Sequence, residues 1–216
     1  LRSKDDTVRD DALAATLALG KQCSDPSSVQ LLLAAVFSVL NGSEGKIGLA
    51  TTKASLLAAC GGLSSSAVTG GGLAELADSA TQKFVKFLET ETHEGTLVLA
   101  LEQLSVWAAR YSNSLPPALV AWFPKGMALK TTSSSVRAAY LLLLSAALHT
   151  NTLASALPLV PSLTKVVDSA VKQSAQVAML SEGAHAAACL VRIAEVDLAT
   201  ETSLQDFFSI VTDMEK

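Results

Sequence analysis

The sequence predicts an all-α protein, a HEAT/ARM-like α-solenoid (an α–α superhelix) of about five helix pairs. Three observations carry that prediction. The first is composition. Ala and Leu number 35 each in 216 residues, half of the chain (50%) is hydrophobic, and only 17% is charged and 5% aromatic. Ala and Leu are strong helix formers, whereas the Ile and Tyr that alternating strands favour are scarce. The second is an internal period. Asp6-Thr7-Val8-Arg9 leads into an apolar run, as does Ser134-Ser135-Val136-Arg137, and Glu-Gly pairs stand at 44–45, 94–95 and 182–183. Interleaved, these markers fall near 8, 45, 94, 136 and 182, a spacing of roughly 37 to 49 residues that suits helix-pair repeats. The third is punctuation of the kind that starts and stops helices.

In chain order the helices are expected near 7–22, 27–40, 47–60, 72–91, 94–111, 117–130, 135–148, 153–172, 177–195 and 202–214. Ser24-Asp25-Pro26 ends the first and caps the second, because Asp accepts first-turn N–H groups and Pro tolerates the first helical position. Asn41-Gly42 offers a left-handed stop to the second. The Gly/Ser run GGLSSSAVTGGG over 61–72 is expected to be a flexible loop and the best site for insertion or cleavage. Phe84, Phe87 and Leu88 form an apolar stripe with Lys83 and Lys86 outside it, and Leu97, Leu101, Leu104 and Ala108 form another with Glu102 and Arg110 off it. Pro116-Pro117 opens the sixth helix. Ala138–Leu144 is apolar all round, as for a helix with neighbours on both sides. Small residues at 58, 59, 61, 184 and 186–188 allow close helix approach. Residues 1–216 read as one solenoid segment, and with Leu1 in place of Met the chain is expected to be a fragment.

Composition also excludes. Apolar content and a mean hydropathy of +0.39 argue against disorder, and three cysteines against a disulfide scaffold. Their odd number suits reduced thiols in a cytosolic or nuclear chain. The uncharged run 138–164 is broken by His149-Thr150-Asn151-Thr152 and then Pro158 and Pro161, which predicts two buried helices and no membrane span. A net charge of -4, with 16 scattered Lys and Arg, gives no basic stripe for duplex DNA. Gly45-Lys46 lacks the glycine spacing of a P-loop, Gly70-Gly71-Gly72 lacks that of a dinucleotide turn, and no G-x-S-x-G elbow occurs. His185 and Cys189, one turn apart, are two ligands where zinc needs three or four, so a core cysteine beside a half-buried histidine is expected. No enzyme, metal or cofactor is expected. Trp107, Trp122 and Phe123 suit gaps between helices better than partner anchors. Arg9 and Arg137 suit polar ladders between adjacent repeats better than RNA phosphates.

KQCSD at 21–25, LNGSEGK at 40–46, HEGTLV at 93–98, LKTTSSSVRAAYL at 129–141 and SEGAHAAACL at 181–190 occur in an order and spacing that resembles the N-terminal HEAT region of one family. It is the family of general-control, ribosome-associated activators of the initiation-factor-2-alpha kinase, stalled-ribosome sensors, and the resemblance runs over the whole chain. Pro124 departs from it, standing where a basic residue is expected after Trp122-Phe123. The resemblance implies a non-enzymatic arm that lies along ribosomes and relays amino-acid starvation or stalling to the kinase. It implies a cytoplasmic protein whose ABC-type partner and kinase are met through other regions of the full-length chain. Arg9, Lys83, Lys86, Lys125, Lys130 and Arg137 are the candidate contacts to ribosome or partner. The competing reading is a HEAT adaptor of another pathway, a transport receptor or phosphatase scaffold.

Overall fold

The structure is a computed structural model and describes residues 1, 3–43, 45, 47–110, 115–126, 133–150, 156–172 and 177–194. Every regular element among them is helical: α1 (Asp6–Gln22), α2 (Pro26–Leu40), α3 (Ala50–Gly62), α4 (Gly71–Thr90), α5 (Glu94–Ala108), α6 (Pro117–Gly126), α7 (Ser134–Thr150), α8 (Val160–Lys172) and α9 (Val177–Ala194), with short 3-10 turns at Leu63–Ser65 and Leu157–Leu159. No strand occurs among the described residues. The helix expected over 202–214, with Phe207 and Phe208, and the end of the sixth helix beyond 126 lie outside them.

The helix ends follow local chemistry. Asp5 accepts the N–H groups of Thr7 at 2.9 Å and Val8 at 3.3 Å to start α1. Asp25 does the same for α2, taking the Ser28 N–H at 2.9 Å and its hydroxyl at 2.7 Å, with Pro26 in the first turn. These Ser28 bonds hold the Asp25 carboxyl below the usual range. At the other end of α2, Gly42 takes φ 78°; its N–H reaches the Val39 carbonyl at 3.0 Å, and that of Ser43 reaches Ser38 at 3.1 Å. This is the paired bond of a left-handed helix stop. One expected start shifts. α3 begins at Ala50, after Gly48, not near 47. The start expected near 153 lies outside the described residues; Ala156 is helical, Pro158 sits in a 3-10 turn, and α8 runs from Val160 with Pro161 in its first turn. Pro124 stands inside α6, which runs on to Gly126 without that one backbone N–H donor.

The chain divides into two compact units, residues 1–107 and 108–216. In the first, α1 packs on α3, and α2 on both α3 and α4. Val29, Leu33 and Phe37 of α2 meet this core with Leu56 and Leu57 of α3 and Phe84 and Leu88 of α4, all buried. The Phe37 and Phe84 rings cross edge to face at 4.9 Å. Gly20 lets α1 come close: a Cβ there would lie 2.6 Å from Leu63 Cδ2. In the Gly/Ser stretch, α3 continues through Gly62, Leu63 and Val68 are fully buried, and Gly70 turns the chain into α4 at φ 66°. Both apolar stripes face inward: Phe84, Phe87, Leu88, Leu97, Leu101, Leu104 and Ala108 are buried. In the second unit α7 and α8 pack on α9, and α6 on α8. Leu141, Leu143, Leu144 and Leu148 of α7 are fully buried.

Candidate functional site

The candidate contact residues do not share one environment. Lys86 and Lys125 are exposed, Lys83 is half-buried with its Nζ 3.0 Å from Ser79 Oγ, and Arg137 is half-buried in the first turn of α7. Lys130 lies outside the described residues. Arg9 is buried, and its guanidinium donates to the Ser3 carbonyl at 2.8 Å and pairs with Asp6. Those partners belong to the start of its own helix, not to a neighbouring repeat. A local i,i+3 carboxylate reaches the guanidinium before any other helix does.

The aromatic residues serve the core. Trp107 is fully buried, and its Nε1–H donates to the Cys60 carbonyl at 2.9 Å, tying α5 to the end of α3. Trp122, Phe123 and Tyr140 cluster with ring centroids 5.7 to 6.2 Å apart. The Tyr140 hydroxyl donates to the Phe123 carbonyl at 2.5 Å and so ties α7 to α6. Burial pushes the Tyr140 and Cys60 groups up.

The HEGT segment forms a junction that residue patterns did not expose. His93 caps α5: its Nδ1 accepts the Thr96 N–H at 3.3 Å and lies 3.0 Å from the Thr96 hydroxyl. Just before it, Glu91 takes the N–H groups of Thr92 at 2.9 Å and His93 at 3.0 Å on one oxygen and Lys53 of α3 at 2.5 Å on the other. The Glu91 side chain is only 7% exposed. Burial alone would raise its carboxyl, but Lys53 and the two N–H donors outweigh that and hold it below the usual range. A cavity of about 260 Å3 adjoins the junction, lined by the first turns of α3 and α5.

In the second unit the fold brings a third group to the His185–Cys189 pair. His149, from the last turn of α7, lines a cavity of about 380 Å3 with both of them and with Ala109, Leu142, Ser145, Ala146 and Ala188. Cys189 is half-buried and its Sγ lies 3.8 Å from the Ser145 carbonyl. Burial raises its thiol, while Arg192 pulls the other way. His185 is not half-buried as expected: its side chain is 69% exposed, on an outer face with Nδ1 3.8 Å from Glu182. Arg192 clasps α7 by donating to the carbonyls of Leu148 at 2.6 Å and His149 at 3.2 Å in its last turn. Among the described residues no three of His, Cys, Asp and Glu gather as a metal site requires. No described helix is long and apolar enough to cross a membrane.

Fold and sites together define a class: an all-helical protein whose polar side chains close helix ends and tie helix to helix. Comparison with known proteins narrows it. Residues 1–47 match the family model described as Stalled ribosome sensor GCN1 N-terminal. The protein named Stalled ribosome sensor GCN1 in Homo sapiens is 37% identical over 216 residues, all of this chain and 8% of that protein. That of Mus musculus is 37% identical over 213 residues, 99% of this chain and again 8% of the relative. Protein ILITYHIA of Arabidopsis thaliana is 25% identical over 126 residues, 58% of this chain and 5% of its own length. No solved structure matches. The resemblance carried by the five motifs therefore stands: the chain is a relative of the N-terminal region of the stalled ribosome sensors, and it spans 8% of the length of the human and mouse proteins. The relatives' names favour the sensor reading over the adaptor of another pathway.

Proposed function

We propose that this chain is a non-enzymatic scaffold segment of a cytoplasmic, ribosome-associated translational regulator, one that activates the initiation-factor-2-alpha kinase under amino-acid starvation or ribosome stalling. The observation that carries the reading is 37% identity, along the whole chain, to proteins named for sensing stalled ribosomes. The segment is a HEAT-type solenoid of about five helix pairs in a single domain. The packing of α1 on α3 and α2 on α4 supports this, since stacked helix hairpins place each helix against the second one along. Such a stack offers extended surface and spreads binding over many weak contacts.

Its partner is the ribosome; the ABC-type partner protein and the kinase are engaged by other regions of the full-length protein. Lys86 and Lys125 are the first candidates for contact because they are exposed. Lys83 and Arg137 follow, and Arg9 contributes only by leaving Asp6 and Ser3. The test is deletion of this segment from the full-length protein. Polysome association and kinase activation should both fall, and unchanged values of both would overturn the reading.

A further inference from the structure

We propose that Asn41-Gly42, the stop of α2, is a site of spontaneous covalent modification at which Asn41 converts to aspartate and isoaspartate, and that the helix stop gates the conversion. Glycine has no Cβ to shield the peptide nitrogen that must attack, and Asn41 is exposed to water. The Gly42 nitrogen gives its proton to solvent base and bonds to Asn41 Cγ, while the bond from Cγ to the side-chain nitrogen breaks and ammonia leaves. Water then opens the cyclic imide at either carbonyl. Amide and water thus become carboxylate and ammonia, and in isoaspartate the chain runs through the former side chain. The folded stop opposes both requirements of the attack. The Gly42 N–H is held by the Val39 carbonyl at 3.0 Å, and the Gly42 carbonyl accepts the Gly45 N–H at 3.0 Å. At an Asn41 ψ of 1° the Gly42 nitrogen lies alongside the nitrogen of Asn41 itself, turned from its Cβ. Closing the ring means breaking the Val39 bond and rotating that peptide, which is an opening of the last turn of α2. Each conversion then weakens the stop that gated it. The new carboxylate stands at the negative end of the α2 dipole, and isoaspartate lengthens the backbone where the Ser43 N–H must reach the Ser38 carbonyl. The turn so loosened carries Phe37 and Leu40, both buried. The modification therefore records openings of α2 over the life of the chain.

The test follows the full chain at mildly alkaline pH, folded and in urea. Peptide mass reads the exchange of amide for carboxyl, and labelling by an isoaspartyl methyltransferase reads the rearranged product. In urea Asn41 should convert faster than Asn113 and Asn151, which precede Ser and Thr. In the folded chain Asn41 should convert at least about tenfold more slowly than in urea, equal to about 1.4 kcal/mol of local opening. Leu40→Ala removes a buried side chain from the last turn and leaves Asn41-Gly42 intact. It should speed the folded-state reaction several-fold and leave the rate in urea unchanged. Where that variant fails to fold, Val39→Ala, a milder change at a half-buried residue, carries the same expectation. Equal rates in the folded and urea-unfolded chains, a folded-state rate that the loosened variants leave unchanged, or an Asn41 that converts no faster than Asn113 and Asn151 in urea would each overturn the proposal.

Discussion

Tyr140 shows how much one buried hydroxyl does in this chain. Its bond to the Phe123 carbonyl ties α7 to α6 inside an aromatic cluster. Tyr140→Phe keeps the ring and removes that buried bond, which should cost about 0.5–1.5 kcal/mol, measured as a lower urea midpoint. Glu91 makes a pH-dependent contribution. Its folded carboxyl titrates below its unfolded value, so its stabilisation is present above the ordinary carboxylate range of about 4.3 and is lost as pH falls through the folded value. Glu91→Gln should therefore be less stable than the parent at pH 7, with the gap closing on acidification. A gap that widened toward acid would contradict the arrangement. Neither residue announced its role in the sequence. A lone Glu after a helix, and a His where Ser or Asp usually caps, carry no local signature, because Lys53 and Glu91 are 38 residues apart.

Helix boundaries were far more legible, because caps and stops act within three or four residues. Asp25, Asn41-Gly42 and Pro117 mark helix ends in the structure as they do in the sequence. The start of α3 differs because the apolar Ile47 and Leu49 that precede it hide the helix-breaking effect of Gly48. Glycines separate local preference from packing. Within a helix, Gly→Ala normally gains about 1 kcal/mol. At Gly20 the added Cβ meets the fully buried Leu63, so Gly20→Ala should lose about 1–3 kcal/mol instead. Gly48 has nothing within 4 Å, and Gly48→Ala should be neutral or slightly stabilising. Thermal melts of the two variants side by side test the contrast. In the Gly/Ser connection Leu63, Ser64, Ser66 and Val68 are buried while Thr69 and Gly70 are exposed. Limited proteolysis of that connection should therefore cut at 69–71 and spare 63–68.

For the whole molecule the governing numbers are a net charge of -4 and 16 dispersed bases. Each neutralised phosphate steepens the salt dependence of nucleic-acid binding, and this chain has few bases to spend. Lys86→Glu with Lys125→Glu, placed in the full-length protein, should lower ribosome co-sedimentation less than about tenfold, and the salt dependence lost with the two charges should be shallow. A collapse of binding, or a steep change, would mean that the fold gathers its bases into one face.

By itself the sequence determined that the described chain is helical, where most helices start and stop, and which stripes turn inward. Those properties rest on interactions between residues three or four apart, which a linear reading can see. Only the tertiary structure decided that Arg9 is spent on its own helix start, that Glu91 joins α3 to the cap of α5, and that Arg192 clasps α7. It also decided that His149 stands across a cavity from His185 and Cys189. These pairings, apart from that of Arg9, span 36 to 44 residues in sequence. They exist because packing brings helices together wherever small residues permit close approach, which no local preference encodes.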